Sequence, residues 1–385
     1  MRSVTALFVG VVACGVLAGC GGVGPAGGGS PVALPLAPSA QRLAGVCPDP
    51  VVVQQNWEPE AEYAGLYQLI GPGYTVDADR KRVIGPLTVQ GRDTGVRLEI
   101  RAGGAAIGFT TISAQMYLDR SIMLGQIGTD SAIKTSAGQP VTAVVSPMTK
   151  SPEMIMWDPA SHPGWRGIAD IGASNAPVLV TKDAAYAQLL VERGLLKASQ
   201  IDQGHTGSPV RFVTNPRIAE QGYATAEPYL YQHEVSSWGK PVRYQLLSDV
   251  GFSVYPDALS VRTSDLPALA GCLSRLVPML QRAQVDYLAD PGPANRLIVD
   301  AVARYNDGWA YSTGVADYAA KTLRDLGIVA NDSSGPVGGL DLARVQATIN
   351  TFGPILARAG APVRPGLTAQ DIATDRFLDP SIRLH

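Results

Sequence analysis

Short apolar runs alternate with helix-spaced segments along most of this chain, and that alternation restricts the fold more than any other feature. Val51-Val52-Val53 reads as a first buried strand, and Glu60–Ile70 carries apolar residues at helical spacing. Val96–Ile100 alternates as a second strand, Ala114–Leu118 reads as helix, and Ile122–Ile127 is a short apolar strand ending at Gly128. Thr129-Asp130-Ser131 opens another helix, which Thr129 can cap, and Val141–Val145 is a further buried strand. A second series runs from a strand at Pro177–Val180 to a helix at Ala184–Arg193, with Gly194 as its C-cap. After it come an apolar Val210–Val213, a helical Ile218–Tyr223 and an apolar Val242–Leu247. Strand–helix alternation of this kind predicts α/β sheets with parallel strands. From Leu266 onward the pattern turns helical, at Leu266–Leu288, Ala294–Tyr305, Val315–Leu326 and Leu340–Leu356. The fold expected is therefore α/β and bilobed, with two crossovers near Ser146–Ser151 and Asp249–Tyr255 and a helical C-terminal region. Lobe 1 is expected at 47–147 plus 253–385 and lobe 2 at 148–252. At 385 residues the chain is long enough for both.

The N-terminus sets the compartment. Arg2 precedes an apolar run, Val4–Ala18, that ends in small residues, the pattern of a secretory signal over 1–19. The run is too short for a comfortable transmembrane span. Leu17-Ala18-Gly19-Cys20 resembles the bacterial lipobox, which implies lipidation at Cys20 and a lipid anchor on the extracytoplasmic face of the cell membrane. The Gly/Pro/Ala/Ser-rich stretch that follows reads as a flexible tether over 20–46. Cys47 and Cys272 then remain; in an exported protein two thiols suggest one disulfide, the alternative being two separate buried thiols. With 31 Lys+Arg against 33 Asp+Glu, a net charge of −2 and only four His, neither a nucleic-acid footprint nor a metal cluster is expected.

Residues 56–67, NWEPEAEYAGLY, resemble the opening motif of the thiamine-pyrimidine-precursor and riboflavin-type substrate-binding proteins of ABC transporters. That group extends to nitrate, sulfonate and taurine binders. Trp57, Pro59, Leu66 and Tyr67 match the motif; Asn56 stands where the pyrimidine branch has Asp, and Tyr63 where it has His. Residues 222–242, GYATAEPYLYQHEVSSWGKPV, and 249–262, DVGFSVYPDALSVR, extend the resemblance, which covers roughly 50–360. It implies a type II periplasmic-binding-protein fold. It also implies a monomer that captures a small organic solute by lobe closure and delivers it to an ABC permease with its ATPase. A planar heterocycle such as a thiamine or flavin precursor suits the aromatic and acidic residues.

The candidate contacts each have a plainer alternative. Trp57 and Tyr63 follow strand one, where ligand crevices open in α/β sheets; they can stack on a flat ring or a cation, or simply pack between lobes. Thr129 and Asp130 open a helix and can bind ligand atoms or serve only its first turn. Ser151 lies just past the first crossover and can meet the ligand or make an ordinary turn. Tyr186 can form the opposite aromatic wall of the cleft. Tyr223 and Glu227 lie on a cleft edge. Glu227 precedes Pro228, so an extended conformation is expected, with its carboxylate either on the ligand or in a hinge ion pair.

Catalysis has little to stand on. Related pyrimidine synthases use a Cys-rich stretch and an active-site His; here no such stretch follows Cys20, and the His position is Tyr63. There is no G-x-S-x-G elbow and no G-x-x-x-x-G-K-[ST] loop. The expectation is a non-enzyme without cofactor. The alternative is a surface interaction protein that keeps the fold without carrying a solute.

Overall fold

Two mixed sheets organise the chain. The computed structural model describes residues 34–182, 184–333 and 335–385. The signal sequence, Cys20 and most of the expected tether lie outside the described residues. In chain order the strands are β1 (Val51–Gln54), β2 (Thr75–Asp77), β3 (Arg82–Val89), β4 (Arg92–Arg101), β5 (Leu124–Ile127), β6 (Val141–Val145), β7 (Glu153–Trp157), β8 (Val178–Leu179), β9 (Ile201–Asp202), β10 (Ala219–Tyr223), β11 (Arg243–Leu246) and β12 (Ala258–Arg262). The first sheet has the order β2-β3-β4-β1-β5-β12-β6 and the second β11-β7-β10-β8-β9. The fold class is thus the expected bilobed α/β one, with the helical C-terminal region in place.

β1 lies between β4 and β5, parallel to both, and is buried on both faces. A continuous Val run suits that position. Val51 and Val53 join the apolar core that holds Leu273, Leu276 and Val277 of the helix Leu266–Ala289. Val52 points to the opposite core, with Ile133, Phe352 and Ile355, as the period-two alternation of a strand demands. Cys47 and Cys272 are joined in a disulfide that fastens the segment before β1 to that long helix. Residues 34–46, assigned by composition to the tether, are packed instead. Leu43 is buried, and Ala37 N–H donates to the Asp93 carbonyl at 2.8 Å. The Gly/Pro/Ala/Ser-rich composition concealed two apolar side chains that pack, Ala37 and Leu43.

Several local expectations are corrected. The sheets are not purely parallel: β12 runs antiparallel to β5 and β6, and β7 antiparallel to β10 and β11. Ile218–Tyr223, expected helical, contains β10, a strand between β7 and β8 with its first four residues buried. Tertiary pairing there overrides the helix-forming Ala-Glu-Gln. Val210–Thr214 is helix. Glu227, expected extended, opens the short helix Glu227–Tyr229, because Pro228 falls in the first turn, where a missing N–H is harmless. Gly194, at φ +68°, follows the helix Ala185–Glu192 as expected.

The chain passes between the sheets at 146–152 and again at 247–257. Both passages are anchored on the segment 332–341, between the third and fourth long C-terminal helices. Ser146 N–H donates to the Gly338 carbonyl, and Tyr255 O–H donates to Asp332 while accepting from Asp341 N–H.

Candidate functional site

The ends of the strands decide which side chains meet. In the first sheet β1 and β5 run parallel, so the loops that follow them leave from the same edge. β12 is antiparallel to β5 with Ala258 opposite Ile127, so the residue before it, Asp257, joins that edge. In the second sheet Tyr223, at the end of β10, sits opposite Glu153, at the start of β7. Ligand crevices form at such carboxyl ends.

The loop after β1 is held against the chain that follows β4. Gly103 N–H donates to the Trp57 carbonyl and Gly104 N–H to the Asn56 carbonyl, both at 2.9 Å. Gly104 has φ +54°, and a Cβ there would meet the Trp57 ring at 2.9 Å, so only glycine fits comfortably. Beyond the loop, Tyr311 O–H accepts from Ala61 N–H at 3.0 Å and fixes the turn that carries Glu60, Glu62 and Tyr63.

Thr225, just past β10, donates to Glu62 and so joins the strand ends of the two sheets at a junction where six carboxyl groups gather: Glu60, Glu62, Asp130 and Asp257 at ends of the first sheet, Glu153 and Glu227 at ends of the second. Burial is the main cause that raises the pKa of each. Mutual repulsion adds to it: Glu62, Asp257 and Glu227 act on Glu60, Asp130 and Asp257 act on Glu153, and Glu62 and Asp130 act on Asp257. Glu153 is pushed up to about 8, and Asp257 and Glu227 to about 7. None of the six forms a salt bridge among the described residues. Their partners are neutral. Asn56 donates from Nδ2 to Asp257 and accepts from the Tyr63 hydroxyl. Thr225 donates to Glu62 across the junction. Ser151 Oγ donates to Glu153 at 3.1 Å, and Tyr223 N–H donates to Glu227 at 2.6 Å.

Of the residues singled out in the sequence, Tyr63, Asp130, Ser151, Tyr223 and Glu227 come together here. Tyr186 stands beside them, buried, with its hydroxyl donating to Gln221. Thr129 does not act as the expected helix cap. Gly128 holds that position, and the Thr129 hydroxyl accepts from Tyr255 N–H at 3.1 Å, tying the second passage to β5. Trp57 turns to other aromatic rings, with Phe109 at 5.9 Å and Trp309 at 6.0 Å between centroids.

Behind Tyr63 lies a small cavity of about 20 Å³, bounded by Glu62, Tyr63, Gln126, Gln281, Gln284 and Gly338, room for about one water. Gln126 is 1% exposed and neither of its amide atoms has a hydrogen-bond partner; Gln284 Nε2 also lacks one. Among the described residues no three His, Cys, Asp or Glu side chains are placed to hold a metal ion.

No family model and no curated protein matches the chain. Solved structures do. The periplasmic aliphatic sulphonate binding protein of Escherichia coli is similar at 13% identity and TM-score 0.52, over 88% of this chain and 95% of that one. The alkanesulfonate-binding protein of Xanthomonas axonopodis pv. citri, bound to MOPS, gives 14% and 0.52 over 85% and 100%. The periplasmic nitrate-binding protein of Synechocystis gives 11% and 0.50 over 85% and 87%. The fold is that of the periplasmic binding proteins. The six carboxyls lie at strand ends of both sheets. Sequence reasoning missed Glu60, Glu62, Glu153 and Asp257 there. Glu60 and Glu62 stand inside the quoted 56–67 motif and Asp257 inside the 249–262 motif, so position in those motifs was the available signal. Gln126 left no sequence signal, because its role depends on having no partner.

Proposed function

We propose that this protein is an extracytoplasmic solute-binding lipoprotein that captures a small organic molecule between its lobes and delivers it to an ABC importer. One observation carries the reading: the carboxyl ends of both sheets face one junction, where polar and aromatic side chains meet without ionic partners. In this reading residues 1–19 are a signal sequence and Cys20 bears the lipid. Lobe 1 comprises 47–147 plus 253–385, and lobe 2 comprises 148–252. The chain acts as a monomer, with a permease and its ATPase as partners, and uses neither nucleic acid nor cofactor. No helix among the described residues is long and apolar enough to cross a membrane, which is compatible with attachment through a lipid alone.

The site residues are Tyr63, Asp130, Ser151, Tyr186, Tyr223 and Glu227 around the solute, with Thr129 positioning the second passage and Trp57 at the rim. A planar heterocycle such as a thiamine or flavin precursor suits the three tyrosines, whose faces stack on flat rings. Such a protein catalyses nothing; its work is binding and closure. Nitrate and sulfonate, named for the similar structures, are anions, and six uncompensated carboxyls oppose both.

The test is a ligand screen by thermal shift and calorimetry on the mature chain, with native mass spectrometry of freshly purified protein. One-to-one binding or a co-purified compound supports the reading; intact ligand after long incubation speaks against turnover. A second reading, an interaction protein that keeps the fold without a solute, is favoured by one observation. Phe252 packs on Tyr186 of the second half and on Phe352 of the first, at 5.8 and 5.6 Å between centroids, so apolar packing runs unbroken past the junction. Small-angle scattering separates the two, since only a solute binder contracts on adding ligand.

A further inference from the structure

The six carboxyls at the junction, Glu62 buried and the other five half-buried, are treated differently from Glu99 and Asp158. Glu99, buried on β4, takes Arg82 at 3.0 Å and Arg101 at 2.7 Å. Asp158, buried after β7, takes Lys240 at 2.9 Å and the Ser161 hydroxyl at 2.8 Å. At the junction no such cation is supplied. Lys134 and His205 ease only Asp130 and Glu227 respectively, and His205 is itself engaged with Glu220 at 3.1 Å.

We infer that the solute is an organic cation carrying a polar heteroatom, whose positive charge completes the unpaired carboxyl group set at the junction. This rests on the solute-binding reading and narrows it to a charge class. Carboxylates crowded together at partial burial with only neutral partners are unfavourable, and a cation among them lowers that penalty. An anion would add to it. The second support is independent of charge. Both amide atoms of Gln126 and the Gln284 Nε2 are unpartnered and line the same cavity as Glu62 and Tyr63, so the protein leaves donors and an acceptor there for another molecule to satisfy. The raised pKa values of Glu153 and Asp257 say that ionising them in the ligand-free protein is costly, a cost that a bound cation lowers. A metal ion fits poorly, because among the described residues no three ligating side chains converge. A diffuse charge spread over a ring fits better, and the Tyr63, Tyr186 and Tyr223 rings can face it. The cavity of about 20 Å³ holds no more than about one water, so the ring lies outside it, among the junction carboxyls, and only its polar heteroatom, directly or through that water, reaches the glutamines.

The experiment is calorimetry on the full mature chain with matched trios. Each trio presents one planar ring as quaternary cation, neutral parent and carboxylate, beginning with 1-methylnicotinamide, nicotinamide and nicotinate. Native mass spectrometry of the protein as purified runs alongside. Expected are binding of cationic members at least tenfold tighter than their neutral parents, or a co-purified compound of positive charge. Glu153→Gln and Asp257→Asn should each weaken the cation at least tenfold while unfolding remains cooperative. Equal or tighter binding of neutral or anionic members, a co-purified neutral or anionic compound, or unchanged affinity in both variants overturns the charge class but leaves solute capture standing. No binding by any member together with no co-purified compound overturns both.

Discussion

Glu99 and Glu153 are both carboxylates held out of bulk water, and the protein handles them in opposite ways. Glu99 sits between two arginines on β4, in an arrangement that serves stability alone. Glu153 has a serine hydroxyl for a partner and other acids for neighbours, Asp130 and Asp257. The chain has arginines to spend, and spends them away from the junction. A fold selected only for stability pairs its buried charges or does without them. Leaving several unpaired at one place points to a partner that comes and goes.

Removing both partners of Glu99, in the double variant Arg82→Met/Arg101→Met, breaks the first side of this comparison. It should lower stability by about 3–5 kcal/mol, the cost of a buried charge left alone, as measured by urea unfolding; a loss below 1 kcal/mol would mean that Glu99 is not truly desolvated. Neutralising a junction acid should act in the reverse direction. Asp257→Asn keeps an acceptor for Asn56 and removes a charge, so the ligand-free protein should gain on the order of 2 kcal/mol at pH 8. A destabilised Asp257→Asn chain would show that the carboxylate is structural.

The pH dependence sharpens the same contrast. Glu153, Asp257 and Glu227 have folded-state pKa values raised to about 8, 7 and 7 by burial and by neighbouring acids. The folded form therefore holds protons that the unfolded form releases near pH 4. Their contribution is complete below about pH 4 and is lost as pH rises through 7 to 8. Asp119 and Asp371 behave oppositely. Hydrogen bonds from Ser121 together with Arg101, and the Arg364 guanidinium with Thr368, hold them down to about 2. Their contribution is present above about pH 4 and fades as pH falls toward 2. Calorimetric melting of the ligand-free chain should accordingly decline between pH 5 and pH 8, and bound cation should flatten that decline. The smallest effect belongs to Asp119, whose side chain is 45% exposed. Asp119→Asn should lose less than about 1 kcal/mol, since water already screens the Arg101 pair.

Much of the fold was legible in the residues. Val51-Val52-Val53, Val141–Val145 and the four long C-terminal helices announce themselves by period and length, because burial on two faces or one imposes those patterns. β10 was not legible: Ala-Glu-Gln-Gly-Tyr favours a helix locally, and only pairing with β7 and β8 makes it a strand. The β2–β3 hairpin was missed because Arg82–Val89 mixes charged, glycine and proline residues with its apolar ones. Among site residues, Tyr63, Tyr223 and Glu227 could be found because they stand in recognisable motifs. Glu153 could not, since nothing local distinguishes the first residue of an apolar strand from a solvated one.

The sequence by itself determined an α/β chain of two lobes, a pair of cysteines able to bond, and the motifs that bring aromatic and acidic residues to strand ends. The first two follow from periodicity and composition, which are local properties, and the motifs from a resemblance carried by short stretches of chain. Only the tertiary structure decided that Glu60, Glu62, Asp130, Asp257, Glu153 and Glu227 share one junction without a cation among them. Charge compensation depends on distance through space, and residues 60, 153 and 257 become neighbours only when two sheets bring their strand ends face to face.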